Sequence, residues 1–224
     1  QRGVVYLVDI PKGQVLWSRQ TKIDGPAAVE ISPDGTRIVV VTHILTRRFP
    51  FGYELLDQYG ELIWENSESD RSLILAPRFS PDGKLFTYSY VTTDGGSAVG
   101  VIEIRSTHTG ERVHSSVHVR GGGVATFTPD SQHLIYGAVP RLSMEQPITI
   151  HCVRLEDGQE LWQFKHPNSS FPVCLPDGKS FALGGTYHSI QVFDIATGKL
   201  KEHATMGIEG IPLEVQFNAS QKYA

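Results

Sequence analysis

The chain has 224 residues, with 20 basic and 24 acidic side chains and a formal charge of −4. This balance gives no electrostatic reason to expect binding to nucleic acid or to an anionic membrane surface, whereas neutral partners stay open. No apolar run approaches the ~18 residues that would cross a bilayer, so membrane insertion is not expected. The composition is that of a soluble globular protein.

The N-terminal region is predicted to form strands and carries no targeting pattern. Residues 1–20 lack the basic and apolar segments of a secretory signal. Because the first residue is Gln1 and not methionine, removal of a leader is compatible with the sequence, and both a cytoplasmic and a periplasmic or other extracytoplasmic location stay open. The first predicted elements are two strands on either side of Gly13, and the second carries Trp17.

A four-residue turn phrase recurs at an almost constant interval. Its prolines are residues 33, 81, 129 and 176, and a period of this size is typical of arrays of small sheets. Proline presets the first corner of the turn, aspartate bonds the local backbone and glycine accepts a positive φ, so each copy predicts a hairpin. The copies are Ser32-Pro33-Asp34-Gly35, Ser80-Pro81-Asp82-Gly83, Thr128-Pro129-Asp130-Ser131 and Leu175-Pro176-Asp177-Gly178, with a degenerate fifth, Asn218-Ala219-Ser220-Gln221.

A second phrase alternates with the first. It consists of a glycine between two apolar strands, and a tryptophan follows three of these glycines by four residues. All three tryptophans of the chain occupy this position, so they belong to the repeat. The glycines are Gly13, Gly60, Gly110, Gly158 and Gly198, and the tryptophans are Trp17, Trp64 and Trp162.

Two hairpins per period give four short strands, named a to d here, in about 45 residues, which is the size of one propeller blade. Helical periodicity is absent. The predicted fold is therefore an all-β propeller of four-stranded antiparallel blades, with about four or five blades in this chain, either closed through a shared blade or part of a seven- or eight-bladed ring. The predicted units are 27–66, 73–118, 122–165 and 168–206, with a c–d pair at 1–20 and the start of an a–b pair at 211–224.

The repeats resemble those of two related propeller families. Val192-Phe193-Asp194 followed by Thr197-Gly198 is similar to the end of strand c in WD-repeat proteins, although phenylalanine stands where the WD tryptophan would be. Asp9, Gly13 and Trp17 are similar to the tryptophan-docking phrase of the pyrroloquinoline-quinone-like (PQQ-like, or quinoprotein-like) repeats. The resemblance implies that the tryptophans lock neighbouring blades. It implies no activity and no cofactor.

Strand alternation separates two faces of the predicted array. Both glycine-bearing turn families, a–b and c–d, lie on one face, and the irregular b–c and d–a connections lie on the other. Variable loops on a rigid scaffold are where recognition usually resides. Arginine and aromatic residues are enriched at interface anchors, so we expect a protein or peptide partner to contact Arg47, Arg48, Phe49, Phe51 and Arg141. The alternative is that the two phenylalanines tuck under their own loop.

The sequence offers little chemistry. The nine histidines form no metal-binding pair of standard spacing, and His114 and His118 share a face only if strand pairing continues past Val117. Cys152 and Cys174 are expected to be small buried residues and not a disulfide. We therefore expect no catalytic, metal or cofactor site. We expect the chain to be a non-catalytic interaction platform. The alternative is the propeller part of a larger enzyme or a quinoprotein-like cofactor-binding propeller.

Overall fold

The computed structural model describes residues 2–24, 26–42, 51–68, 72–94, 97–113, 117–120, 122–139, 147–167, 172–185 and 189–205. Within these ranges every regular element is a β-strand and none is a helix, so the expected all-β fold is confirmed. In the same ranges there is accordingly no helix long and apolar enough to span a membrane.

The strands follow one another with short connections. They are β1 (Arg2–Asp9), β2 (Gln14–Asp24), β3 (Pro26–Ile31), β4 (Arg37–Thr42), β5 (Phe51–Asp57), β6 (Leu62–Glu68), β7 (Ser72–Phe79), β8 (Leu85–Asp94), β9 (Ser97–Ser106), β10 (Val117–Arg120), β11 (Gly122–Phe127), β12 (His133–Val139), β13 (Ile148–Arg154), β14 (Glu160–His166), β15 (Val173–Cys174), β16 (Ser180–Gly185), β17 (Ser189–Asp194) and β18 (Leu200–Thr205).

These strands form five antiparallel sheets in chain order. The first sheet contains only β1 and β2, and the second to fifth sheets are β3–β6, β7–β10, β11–β14 and β15–β18. Each four-stranded sheet pairs its strands in sequence order without a crossover. The first strands of the second to fifth sheets, β3, β7, β11 and β15, contact one another in succession. Successive sheets joined along their first strands give a β-propeller-like arrangement.

The core consists of the junctions between successive sheets. Strands of these sheets alternate their side chains between two faces, and we call the face toward the preceding sheet the back face and the other the forward face. In β4, for example, Ile38 and Val40 pack backward on Val5 and Trp17 of the first sheet. The intervening Val39 and Val41 pack forward on an aromatic cluster of the third sheet. Because both faces are apolar, each sheet depends on its neighbours for burial.

The two turn families lie side by side at one end of the sheets. In the third sheet the Thr107 backbone N–H donates to the Lys84 carbonyl at 2.9 Å, which joins the c–d turn to the a–b turn. Equivalent bonds run from Leu155 to Gln132 at 2.9 Å and from Ile195 to Lys179 at 2.8 Å. We call this end the turn face.

The Pro-Asp-Gly turns close through their own side chains. In the second sheet the Gly35 N–H donates to the Ser32 carbonyl at 2.8 Å, and the Asp34 carboxylate accepts from the Thr36 N–H at 3.0 Å. The predicted positive φ is present, at 72° for Gly35, 71° for Gly83 and 70° for Gly178. The fourth sheet has Ser131 at this position with φ 58°, and its hydroxyl accepts from the Asp82 N–H at 3.1 Å.

The glycine of the third-sheet turn provides a test of this backbone requirement. Gly83→Val should lower the free energy of unfolding by about 1–2 kcal/mol because a β-branched residue is strained at positive φ. Gly83→Asn should lower it by less, because asparagine tolerates the left-handed region. A Cβ at this site comes no closer than 3.8 Å to the Asp34 side chain, so crowding does not confound the comparison. Urea denaturation measures both; equal stability of wild type and the valine variant would contradict the assignment.

Candidate functional site

The tryptophans of the repeat cover the c–d glycines of the following sheet. A Cβ built on Gly60 would lie 2.9 Å from the Trp17 ring, and one on Gly198 2.7 Å from the Trp162 ring. A Cβ built on Gly110 would overlap the Trp64 ring. All three glycines have positive φ, at 82°, 72° and 66°. The same residue type therefore supplies the turn conformation and the space for the indole.

Hydrogen bonds fix two of these indoles. The Trp17 Nε1–H donates to the Gln58 carbonyl at 2.9 Å, and the Trp162 Nε1–H donates to the Ile195 carbonyl at 2.8 Å. Trp162 also stacks on Phe181 of the fifth sheet, with ring centroids 5.6 Å apart. Tryptophans that lock neighbouring blades are predicted to be largely buried, but all three are only half-buried. The reason is that each indole covers its neighbour's turn from the rim of the junction, with one side left toward solvent.

The junction between the third and fourth sheets departs from this pattern. Gly158 has φ 72°, yet no atom of the described chain lies within 4 Å of a Cβ placed there. The residue four positions after Gly110 is His114, not a tryptophan, and it lies outside the described residues. In β10, Val117 pairs with Ile102, which is one residue later than the pairing of Asn66 with Tyr53 in the second sheet would predict.

A buried ionic cluster lies beneath Trp64. The Glu103 carboxylate accepts from the Tyr88 hydroxyl at 2.7 Å and the Tyr90 hydroxyl at 2.9 Å, and it pairs with Arg105 at 2.7 Å and Arg112 at 2.9 Å. The side chain of Glu103 is 0% exposed and that of Arg105 is 8% exposed. Buried charges of this kind are tolerated only when they are paired and hydrogen-bonded.

Arg105 connects this cluster to the tryptophan junction. Its Nη1 donates to the Gly110 carbonyl at 2.8 Å, and its guanidinium lies 4.6 Å from the centre of the Trp64 ring. Trp64 belongs to the second sheet and Gly110 to the third, so the guanidinium spans the junction. A cation over an indole face adds an electrostatic attraction to the packing.

The cluster keeps Glu103 ionised. Burial by itself raises the pKa of Glu103, but hydrogen bonds from Tyr88 and Tyr90 and the charges of Arg105 and Arg112 outweigh it and hold the pKa below its ordinary value. Each carboxylate oxygen already accepts two of these contacts. The arrangement therefore stabilises the junction and is unsuited to proton transfer, which needs an available lone pair.

A related pair occupies the preceding junction. Glu54 stands three residues before the end of β5, as Glu103 does in β9, and its carboxylate is 3.4 Å from Arg19 Nε of the first sheet. Arg19 Nη1 also donates to the Gly60 carbonyl at 3.0 Å. The sequence analysis did not identify Glu54 or Glu103. The detectable signal was a Glu three residues before the end of two otherwise apolar strands, β5 and β9.

The turn-face aspartates are committed to their own turns. The Ser32 hydroxyl donates to Asp34 at 2.6 Å, and together with the Thr36 bonds it lowers the pKa of Asp34 to about 2. Burial raises the pKa of Asp82, Asp130 and Asp177, but local hydrogen bonds outweigh it and lower the pKa overall. These carboxylates are structural, and in the described ranges no group of three or more His, Cys, Asp or Glu side chains could hold a metal ion.

Both cysteines are free thiols, as expected. Cys152 is buried in the junction between the fourth and fifth sheets, and Cys174 is half-buried. Burial raises the pKa of each thiol to about 12. A thiol that stays protonated is a weak nucleophile, so neither is suited to covalent catalysis.

A cavity of about 450 Å³ opens where three successive a–b turns meet. Its walls are turn prolines and the ends of two inner strands, so it can accept apolar groups. Sequence reasoning treated these prolines only as turn formers. The lining residues are Pro81, Phe127, Pro129, Val173, Cys174, Leu175 and Pro176.

The predicted partner loop lies outside the described residues. Arg47, Arg48 and Phe49 fall in the range 43–50, and Arg141 in 140–146. Phe51 is the first residue of β5, where its backbone pairs with Glu68.

Comparison with known proteins identifies the class of fold. No protein-family model matches the chain, and no curated protein matches it. Among solved structures, the chain is similar to Kuenenia stuttgartiensis hydrazine synthase, with a TM-score of 0.62 and 17% identity over 87% of this chain. The match covers 65% of that chain. In all, 1016 solved chains are similar, so the fold alone does not select a function.

The buried carboxylate gives a prediction with a defined pH dependence. Glu103→Gln should lower the free energy of unfolding by about 3 kcal/mol or more, because it leaves Arg105 without its counter-charge. Because the pKa of Glu103 is lower in the folded protein than its ordinary value of 4.5, ionised Glu103 stabilises the fold at pH values above 4.5. This stabilisation is lost as the pH falls through the lowered pKa. The difference between wild type and variant should therefore narrow under acid, as measured by urea denaturation at stepwise lower pH.

The matched control is the exposed pair of Arg154 with Asp157, whose side chains are 38% and 46% exposed. Asp157→Asn should cost less than about 1 kcal/mol. A small, pH-independent cost at Glu103 would show that the cluster does not hold the junction.

Proposed function

We propose that this chain is a non-catalytic interaction platform, a β-propeller of WD-like or PQQ-like repeats that binds a protein or peptide through its irregular loop face. In this proposal the blades are units 27–66, 73–118, 122–165 and 168–206, with the c–d pair at 1–20 before them and the predicted start of an a–b pair at 211–224 after them. The fold class is supported by the five antiparallel sheets and by the likeness to solved structures.

The observation that carries the proposal is the chemistry of the turn face. Its aspartate, serine and threonine side chains are used to close the turns, as in the bonds of Ser80 and Lys84 to Asp82 at 2.7 and 3.1 Å. Polar groups that already hold the scaffold contribute little to recognition of a partner. The opposite face carries the connections that vary in length and sequence, and variable loops on a rigid scaffold are suited to recognition.

Within that face, residues 43–51 supply the strongest anchor chemistry. Arg47 and Arg48 offer planar, multidentate donors, and Phe49 offers apolar area. Arg141 adds a cation from the corresponding connection of the fourth sheet. A partner with acidic and apolar side chains matches this combination by charge and by burial.

The test uses peptides selected from a displayed random library on the wild-type chain. The triple variant Arg47→Ser, Arg48→Ser, Phe49→Ser should weaken binding of those peptides by about thirtyfold or more, which corresponds to one interface hot spot. Phe51 stays unchanged because it begins β5. Fluorescence anisotropy gives the affinity and circular dichroism the melting temperature.

The control replaces three exposed residues of the turn face, Lys12, Tyr59 and Lys84, with serine. This variant should bind like the wild type. Loss of binding in the control alone would place the site on the turn face and contradict the proposal. A large fall in the melting temperature of the loop variant would show that the loop side chains pack against the chain's own sheets.

A further inference from the structure

The c–d turn of the fourth sheet carries a glycine that no described part of the chain covers. Gly158 has φ 72°, as Gly110 has, and no described atom lies within 4 Å of a Cβ built on it. Gly158 is exposed, whereas Gly60 and Gly110, which lie under tryptophans, are buried. The third and fifth sheets lie on either side of this turn, so the difference does not arise at an end of the chain.

The chain has no indole left for this position. It contains three tryptophans, and they lie over Gly60, Gly110 and Gly198. The residue four positions after Gly110, from which the repeat would cover Gly158, is a histidine. Val153, near the end of β13, is 8% exposed because it packs in the cluster between the third and fourth sheets. The strand is therefore covered, and the bare part is the turn.

The backbone of this turn offers acceptors suited to an indole N–H. Two of the chain's own indoles donate to a carbonyl that stands two or three residues before the covered glycine, at Gln58 and Ile195. The equivalent carbonyls before Gly158 are those of Leu155 and Glu156, and no donor among the described residues reaches either of them. An incoming indole would therefore meet the kind of acceptor that the chain's own indoles use.

A pair of stacked rings stands beside the turn. His151 lies three residues before the end of β13, and Glu160 lies two residues after the turn glycine. In the third sheet the same two positions hold Glu103 and Arg112 of the cluster beneath an indole. His151 Nδ1 is 2.7 Å from the Glu160 carboxylate, and the imidazole stacks on Tyr136 with centroids 4.8 Å apart. The carboxylate fixes the imidazole, which gives an incoming aromatic ring a flat surface to contact.

An indole at such a site has to arrive on a polypeptide. The chain's own three indoles are only half-buried at their junctions, so a site of this kind covers one side of the ring. One covered side of a single ring provides too little burial to offset the cost of association for a free small molecule. A tryptophan of a partner protein adds the contacts of its neighbours along the chain, and tryptophan is enriched among the residues that anchor interfaces.

We propose that the c–d turn of the fourth sheet is a docking site for a tryptophan side chain of a partner protein. The indole lies over Gly158, as the chain's own tryptophans lie over three other c–d glycines, and its N–H donates to the carbonyl of Leu155 or Glu156. The site is on the turn face, and it does not depend on the binding function proposed for the loop face.

The test selects short peptides from a displayed library in which tryptophan is fixed at the central position, with the full chain as the target. A selected peptide, added to isotope-labelled chain, should shift the backbone amide NMR signals of Gly158 and Gln159 to saturation. The same peptide with alanine in place of its tryptophan should bind at least about tenfold more weakly, as expected for the loss of an anchor. Free indole should also bind more weakly, because it lacks the neighbouring contacts.

A matched pair of variants separates an open turn from a covered one. Gly158→Asn adds a side chain where the indole would lie, and asparagine tolerates the left-handed conformation. Gly35→Asn is the control, because Gly35 also has φ 72° and no described atom within 4 Å of a built Cβ, but belongs to an a–b turn. The first variant should weaken peptide binding by about tenfold or more, and the second should bind like the wild type. Both should change the urea midpoint by similar amounts.

Several results would overturn the proposal. They are selected peptides that leave the amide signals of this turn unchanged, peptide binding that Gly158→Asn does not weaken, and free indole that binds as tightly as the peptide. A much larger loss of stability in Gly158→Asn than in Gly35→Asn would overturn it as well, because the chain itself would then cover the turn.

Discussion

The fold depends on one repeated contact, a tryptophan of one sheet lying over a glycine in the c–d turn of the next. The turn requires positive φ, which glycine adopts without strain, and the absent Cβ leaves the space that the indole fills. Gly60, Gly110 and Gly198 all show this double use. Because the sheets share their apolar clusters across the junctions, each sheet depends on its neighbours for burial.

This constraint also separates structure from function within the molecule. The turn face is held by carboxylates and hydroxyls that bond their own backbone, and the second junction adds the buried Glu103 and Arg105 pair beneath Trp64. Groups engaged in this way are poor candidates for chemistry or recognition. The irregular connections lie largely outside the described residues, and the proposed partner surface is assigned to them because their sequences and lengths vary. Because many solved chains share this fold, the fold by itself does not indicate where a partner binds, and the proposed location rests on the loop sequences.

The local part of this architecture could be predicted from the sequence. Positive φ at Gly35 and Gly83 follows from turn chemistry, and the strand alternation follows from periodicity. A Glu in an apolar strand was a detectable signal, but the Tyr88 and Tyr90 partners of Glu103 could not be predicted, because they meet it only through strand pairing. The one-residue shift in β10 was equally invisible, since it concerns register and not composition. The half-burial of the tryptophans depends on the position of the rim, which no local pattern encodes.

A double-mutant cycle on Trp64 and Gly110 tests the central contact most directly. Gly110→Ala, Trp64→Ala and the double variant are compared with the wild type by urea denaturation. Backbone strain at φ 72° is common to both backgrounds, so the cycle isolates the clash with the indole. The account predicts that Gly110→Ala costs about 1–3 kcal/mol more in the wild type than in the Trp64→Ala background. Equal costs in the two backgrounds would show that the tryptophan does not lock the sheets.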